Sequence, residues 1–331
     1  MKKVYINGLA SISIQEQSRN FTVETLNKIK QGVNEAHQPS YKELIAPAMV
    51  RRMAKGVKMG IYTAHLALEE AGIQLPDAII TGTGLGCLVD SEKFLELLLD
   101  NEERYLTPTS FIQSTHNTVG GQVALHLGCK GYNFTYVHQN SSFESALLDG
   151  FLQVKADEVA NALIGGIDEV GKTTIINQQL AQLVNTVDTI FDKGINTAEG
   201  ATFFALDHKQ TETSYAEVVD IHISNTREVM NITSFLQQHN LAVEALDVVY
   251  VGSCNLPVDQ DYFDAIYHSC NQAEIVTYKE YVGHHHTASS FGLLLAAERM
   301  KRDEGVQYIL LYNQFQGKDC SFILLKRCGV K

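Results

Sequence analysis

The chain has 331 residues, 45% of them hydrophobic and 19% charged, which suffices for one large α/β unit or for two halves of roughly 150 residues each. A formal net charge of −12 argues against nucleic acid or an anionic membrane as partner. No apolar run approaches the roughly 20 residues of a membrane span, the first strand is not preceded by a signal-peptide pattern, and the six cysteines show no CxxC pairing. A cytoplasmic protein with reduced thiols is therefore expected, with neither a zinc site nor a disulfide framework.

Val4 to Ile12 alternates as a strand, and a long helix is expected from about Tyr41 to Ala71, closed by Gly72. It carries Arg51, Arg52, Lys55 and Lys58, which read first as a solvated face and second as a docking patch for an acidic partner. Asp77 to Thr81 is a short strand opening into Gly82-Thr83-Gly84-Leu85-Gly86, with a helix from Ser91 to Leu99 after it. The glycine turn lacks the spacing and the ribose-binding acid of a dinucleotide fingerprint, so nucleotide binding is not expected. Thr107-Pro108-Thr109-Ser110 starts a helix spanning Phe111 to Leu127.

Gly131 to Val154 is the stretch around which the rest is organised. Phe134 to His138 is aromatic and β-branched and reads as a buried strand, while Phe143, Leu147, Phe151 and Val154 recur at helical spacing from Ser142 onward. A strand thus turns sharply into a helix near Asn140. A side chain at such a turn lies beside free backbone N–H groups and the positive end of the helix dipole, where a thiol would be acidified. The residues present are His138-Gln139-Asn140-Ser141-Ser142, without a cysteine. Ser141 or Ser142 is expected to cap the helix rather than to act as a nucleophile with His138 as its base.

Ala160 to Ile164 is a strand ending in Gly165-Gly166, and Glu199 to Leu206 is another. The polar segment His208 to Ser214 marks the expected boundary between halves 1–210 and 211–331. The second half repeats the grammar: strand Ala216 to Ile223, helix Val229 to His239, strand Asp247 to Gly252, helices Asp261 to Cys270 and His286 to Met300, and strands Tyr308 to Tyr312 and Cys320 to Leu325. The shared order suggests a structural duplication, with helices covering both faces of the sheets. His284-His285-His286 invites a metal reading, but successive helical residues point about 100° apart and no partnering motif accompanies them, so no metal is expected.

On these segments the chain resembles a β-ketoacyl synthase of the thiolase superfamily over nearly its whole length. The matching pieces are Gly8-Leu9-Ala10-Ser11, Gly82 to Gly86, Thr107-Pro108, Gly131-Tyr132-Asn133 and Gly165-Gly166-Ile167-Asp168-Glu169. They continue with Phe191-Asp192-Lys193, Ala198-Glu199-Gly200-Ala201, Lys279 to His284, and Asn313-Gln314-Phe315. The resemblance implies a thiolase-like α/β fold, duplicated βαβαβαββ halves in an α-β-α-β-α layering. The family's nucleophilic cysteine falls on Asn140 when Gly131 and Ala146-Leu147 are held in register, with Gln139 or Ser141 one residue to either side. The family's first histidine should lie near Gly252-Ser253-Cys254-Asn255, anchored by Pro257, where no histidine stands; Cys254 is expected to pack as a small hydrophobe. The family's lysine and second histidine are matched by Lys279 and His284. Phe315 retains the motif that precedes the family's glycine-rich gate, which is reduced here to Gln316-Gly317-Lys318-Asp319.

Claisen condensation needs a thiolate, which neither an amide nor a hydroxyl replaces, and decarboxylation of the extender is aided by two imidazoles, of which one is missing. The resemblance therefore implies a non-catalytic homologue similar to the chain-length-factor subunits of type II polyketide, aryl-polyene or fatty-acid-like pathways. Such a subunit would pair with an active ketosynthase through Phe134 to His138 and Phe111 to Leu127. An acyl carrier protein would dock on the more basic partner, and no cofactor is implied. Two alternatives stand beside it. One is a malonyl-carrier-protein decarboxylase in which Lys279 and His284 polarise the substrate and Asn140 helps to hold the oxyanion; the other is a homodimer that binds acyl thioesters.

Overall fold

Ten short segments pair into one sheet in the computed structural model, which describes residues 1–16, 21–104, 108–224 and 231–329. The first five strands are β1 (Val4–Ile12), β2 (Ala78–Gly82), β3 (Tyr132–Tyr136), β4 (Asn161–Asp168) and β5 (Gly200–Asp207). The second five are β6 (Ala216–Ser224), β7 (Val248–Val251), β8 (Glu274–Thr277), β9 (Tyr308–Phe315) and β10 (Lys318–Lys326). They lie in the order β8-β7-β9-β10-β6-β1-β5-β4-β2-β3.

Cut between β6 and β1, this order is the same pattern twice. In each half the third, second and fourth strands pair in parallel, and the fifth is antiparallel to both the fourth and the first. The halves meet where Val4 to Ile6 pairs with Ala216 to Val218. Duplication is thus written in the topology although no repeat aligns in the sequence.

The layering follows from the apolar helix faces. Helices α1 (Lys55–Ala71), α2 (Leu88–Asp100), α3 (Pro108–Ser114), α4 (Thr118–Leu127), α5 (Ser142–Lys155) and α6 (Lys172–Leu180) belong to the first half. Helices α7 (Ile232–Gln237), α8 (Gln260–Ser269), α9 (Lys279–Val282) and α10 (Ser289–Arg302) belong to the second. Helices α1 and α4 pack on the outer face of the first half, with Val57, Ile61, Val119 and Val123 in their core, and α7 and α8 cover the outer face of the second with Phe235, Phe263 and Ile266. Between the two halves of the sheet lie α5 and α10, contributing Phe143, Leu147, Phe151, Phe291, Leu294 and Met300 to the central core. This is the expected α-β-α-β-α arrangement. The burial of apolar area, at about 25 cal/mol per Å², is the main force holding it.

Several expected elements change. The long helix begins at Lys55 rather than Tyr41; Pro47 opens a separate short turn, Pro47–Val50, since an interior proline would remove a helical hydrogen bond and clash with the preceding turn. The helix expected over Phe111 to Leu127 is two, α3 and α4, because the Thr118 hydroxyl bonds the Ile112 carbonyl at 2.8 Å and turns the chain between them. Thr107, expected just ahead of it, lies outside the described residues, as does Val229 at the expected start of α7. β4 runs on through Gly165-Gly166 to Asp168, and α10 starts at Ser289 rather than His286. The strand expected to be buried at Phe134 to His138 is the sheet-edge strand β3, with Tyr132 and Phe134 43% and 46% exposed. One member of the basic cluster turns inward: Lys55 pairs with the buried Glu199 at 2.6 Å, while Arg51 and Arg52 remain exposed.

Candidate functional site

Between β3 and α5 the backbone makes one tight 3-10 turn, Gln139–Ser141, and Gln139 takes a φ of +52°. A non-glycine residue in that region is strained and has to be held. The holder is Ser142, whose Oγ accepts from the His138 amide at 2.9 Å and donates to the Gln139 carbonyl at 2.6 Å. The expected side-chain cap by Ser141 or Ser142 is therefore absent: Ser142 staples the turn, and the buried Ser141 Oγ has no partner. The His138 Nδ1 faces Ser145 Oγ at 3.1 Å rather than either serine of the turn. Gln139 is exposed at the point of the turn and Asn140 is buried beneath it. One turn into α5, the buried Glu144 accepts from Asn313 Nδ2 and Ser321 Oγ, both at 3.1 Å, and burial pushes its carboxyl up.

The histidine loop is held from the other side by Asp168 at the end of β4. Its Oδ1 accepts from the Gly84 amide at 2.8 Å and the Thr83 hydroxyl at 3.1 Å, and its Oδ2 accepts from the Thr287 amide and hydroxyl, both at 2.9 Å. Burial alone would raise this carboxyl, but His285, whose Nδ1 stands 3.6 Å away, and the neighbouring His286 bring it down to about 2. The glycine turn Gly82 to Gly86 thus cradles a carboxylate of its own chain. Gly84 has to be glycine, since a Cβ there would lie 2.1 Å from the His286 ring.

Held in this way, the three histidines face three directions. His284 stacks on Phe315, centroids 4.4 Å apart, and presents Nδ1 to Cys254 Sγ at 3.5 Å; His285 faces Thr287 and Asp168; His286 lies against Gly84. Burial pulls His284 well below the usual imidazole range and lowers His286 as well. Among the described residues there is no group of three or more His, Cys, Asp or Glu side chains that could hold a metal ion.

Lys279 opens α9 and is 3% exposed, yet its Nζ has no hydrogen-bond partner; it lies 5.5 Å from the centroid of the Phe315 ring. The segment after Phe315 is a two-residue hairpin turn, Gln316 at φ +53° and Gly317 at +70°. Asp259 pins both amides, at 2.9 and 2.7 Å, so a fixed turn stands where the family's gate would be. A cavity of about 420 Å³ is lined by Gln139, Asn140, His284, His285, His286 and Phe315, with Leu88, Ile175 and Val184 on its apolar side. A second, of about 230 Å³, is lined by Ser253, Cys254, Asn255, Lys279 and His284. His284 borders both.

The turn residues, Lys279, His284 and Phe315 are thus gathered around one imidazole. Of the positions expected for the first histidine, Gly252 is buried at the end of β7, where its amide bonds the Tyr312 carbonyl, and Ser253 lines the smaller cavity. Cys254 is not the packed hydrophobe expected, because the short loop after β7 turns it toward His284 and leaves it half-buried. Sequence reasoning missed Asp168 and Asp259 as organisers of the site; the acid closing Gly-Gly-Ile-Asp at a strand end was the available signal for the first.

A duplicated, five-layered α/β fold with its cavity at a strand-to-helix turn places the chain in the thiolase-like class. The family model "Beta-ketoacyl synthase, N-terminal domain" matches residues 14–211, more than half of the sequence, and the chain belongs to that family. A β-ketoacyl synthase from Burkholderia phymatum STM815 is similar at 16% identity and TM-score 0.79, covering 99% of this chain and 100% of its own. The ketosynthase ApeO in complex with its chain length factor ApeC, from Xenorhabdus doucetiae, is similar at 13% identity and TM-score 0.74 over 99% and 98%. The ishigamide ketosynthase/chain length factor is similar at 17% identity and TM-score 0.79 over 99% and 100%. At these identities the likeness is one of fold. No curated protein matches the sequence.

Proposed function

We propose that this chain is a ketosynthase homologue without condensing activity of its own, which pairs with an active ketosynthase in the manner of a chain length factor. One observation carries the reading: the strained turn onto which the family's cysteine falls holds Asn140 with Gln139 and Ser141 to either side, none of them a cysteine, and Gln139 at its positive-φ point carries an amide that cannot form a thioester. The strand leading into it, β3, is an open sheet edge with exposed aromatic rings, and the exposed Phe111, Ile112 and Leu125 lie on α3 and α4. Such a surface suits strand pairing and apolar contact with a second subunit. Similar structures include a ketosynthase in complex with its chain length factor and a type II acyl-carrier protein in complex with its ketosynthase, which supports a carrier protein serving the pair. The pathway we assign is of the type II polyketide, aryl-polyene or fatty-acid-like kind, and the boundary we assign between the halves is residue 210. Co-expression with the ketosynthase encoded beside it is expected to yield a stable heterodimer; recovery of homodimer alone would sink the reading.

A second reading has one observation in its favour, since Gln139 and His284 line the same cavity. In it, the chain decarboxylates a malonyl-carrier protein, with Lys279 and His284 polarising the thioester oxygen. It predicts acetyl-carrier protein as product, lost in His284→Ala.

A further inference from the structure

The smaller cavity holds chemistry that subunit pairing does not use. Cys254 Sγ and His284 Nδ1 are 3.5 Å apart, within reach of proton transfer, and the imidazole is fixed in that orientation by its stack on Phe315. Among the described residues the buried Lys279 Nζ has no hydrogen-bond partner, and it lines the same cavity as the thiol. A buried ammonium left unpaired is costly, and its natural complement is an oxygen that carries or develops negative charge. The loop presenting the thiol is set by Asn255, at φ +57°, whose amide donates to Ser253 Oγ at 3.0 Å. The cavity opens beside the exposed Lys28 and Asn255.

We propose that Cys254, with His284 as its base and Lys279 as the oxyanion contact, is an acyl-acceptor site for a short-chain acyl thioester. It takes the place of the thiol missing from the turn Gln139–Ser141. The Cys254 sulfur attacks the thioester carbonyl carbon while its proton passes to His284 Nδ1. Charge developing on the carbonyl oxygen is met by the Lys279 ammonium. The bond from carbon to the carrier sulfur then breaks, and the departing sulfur takes the proton back from His284. One thioester replaces another, with nothing oxidised or reduced.

The environment fits such a dyad rather than a free thiolate. Burial raises the thiol, with Lys279 pulling the other way, and lowers His284, so the pair rests as neutral thiol and neutral imidazole. Pairing with a ketosynthase neither requires nor excludes this site, so its test uses the full chain alone.

Purified protein is incubated with S-hexanoyl-N-acetylcysteamine and followed by intact mass and peptide mapping. We expect one hexanoyl group on Cys254, removable by hydroxylamine and absent in Cys254→Ala. In His284→Asn the acylation slows at least about tenfold, general-base help being worth about 10²–10⁴, while iodoacetamide still alkylates Cys254. Acylation of a different cysteine, no acylation of the wild-type chain, or an unchanged rate in His284→Asn would each overturn the proposal. The wild-type map alone decides the site even where a variant folds poorly.

Discussion

At Asp168, donors from two distant segments converge on one buried carboxylate: the Thr83 hydroxyl and Gly84 amide from the glycine turn, and the amide and hydroxyl of Thr287 from the histidine loop. Because its folded value of about 2 lies below the ordinary 3.8, the charge stabilises the fold above pH 3.8, and that contribution is lost as pH falls through about 2. Asp168→Asn keeps the size but loses the charge and turns an N–H toward donors. A loss of about 3 kcal/mol at pH 7 is expected, since hydrogen bonds to a charged acceptor are worth about 1.5–3 kcal/mol each. Urea unfolding of both proteins checks this, and the gap should narrow as the buffer approaches pH 2; a gap indifferent to pH would mean the carboxylate's charge is not what holds the loop. The sequence displayed both partners of this clamp without showing that they meet. A glycine turn reads as a cradle for any anion, and only the crossing of β4 beside β2 makes that anion Asp168. In the same way Cys254 and His284 are thirty positions apart, and no spacing rule joins them.

Elements were legible where their own period decides them. β1, α5 and four strands of the second half, β6, β7, β9 and β10, follow from alternation or helical spacing, and Phe143, Leu147, Phe151 and Val154 are buried as that spacing requires, whereas the short strand β8 at Glu274–Thr277 is absent from the sequence reading. What composition cannot encode is how many neighbours a strand has. The aromatics of β3 look like core residues, yet among the described residues the strand pairs with β2 alone and leaves its other edge open. This makes Phe134 a discriminating position. Phe134→Glu removes a ring already 46% exposed, so the lone chain should melt within a few degrees of wild type. A charge placed in an apolar contact should instead weaken association with a co-expressed ketosynthase at least about tenfold, the scale of a modest interface residue. Size-exclusion and titration measurements separate the two effects. An unchanged heterodimer would remove β3 from the interface.

Across the whole molecule, the duplicated halves are joined through elements that carry carboxylates as well as apolar side chains. Glu70, on the outer helix α1, accepts from the Leu9 amide in β1 at 2.9 Å and from the Tyr215 hydroxyl just ahead of β6, so it ties the two first strands together. Glu298, on the central helix α10, is 6% exposed with Oε1 unpartnered; burial first and the Glu70 charge second push its carboxyl up to about 7. Here the sign is opposite to that of Asp168. The native state holds a proton that the unfolded chain releases near 4.5, so stability is highest below that value and falls as pH rises toward 7. Glu169, also raised to about 7 by burial, adds to the same trend from the other side of α1. Glu298→Gln keeps the shape of the protonated acid and cannot ionise. Its unfolding free energy from urea titration should match that of wild type at pH 4 and exceed it at pH 8, by on the order of 2 kcal/mol after allowance for solvent screening. Equal differences at both pH values would place the effect in packing, and the seam between the halves would then carry no pH-dependent load.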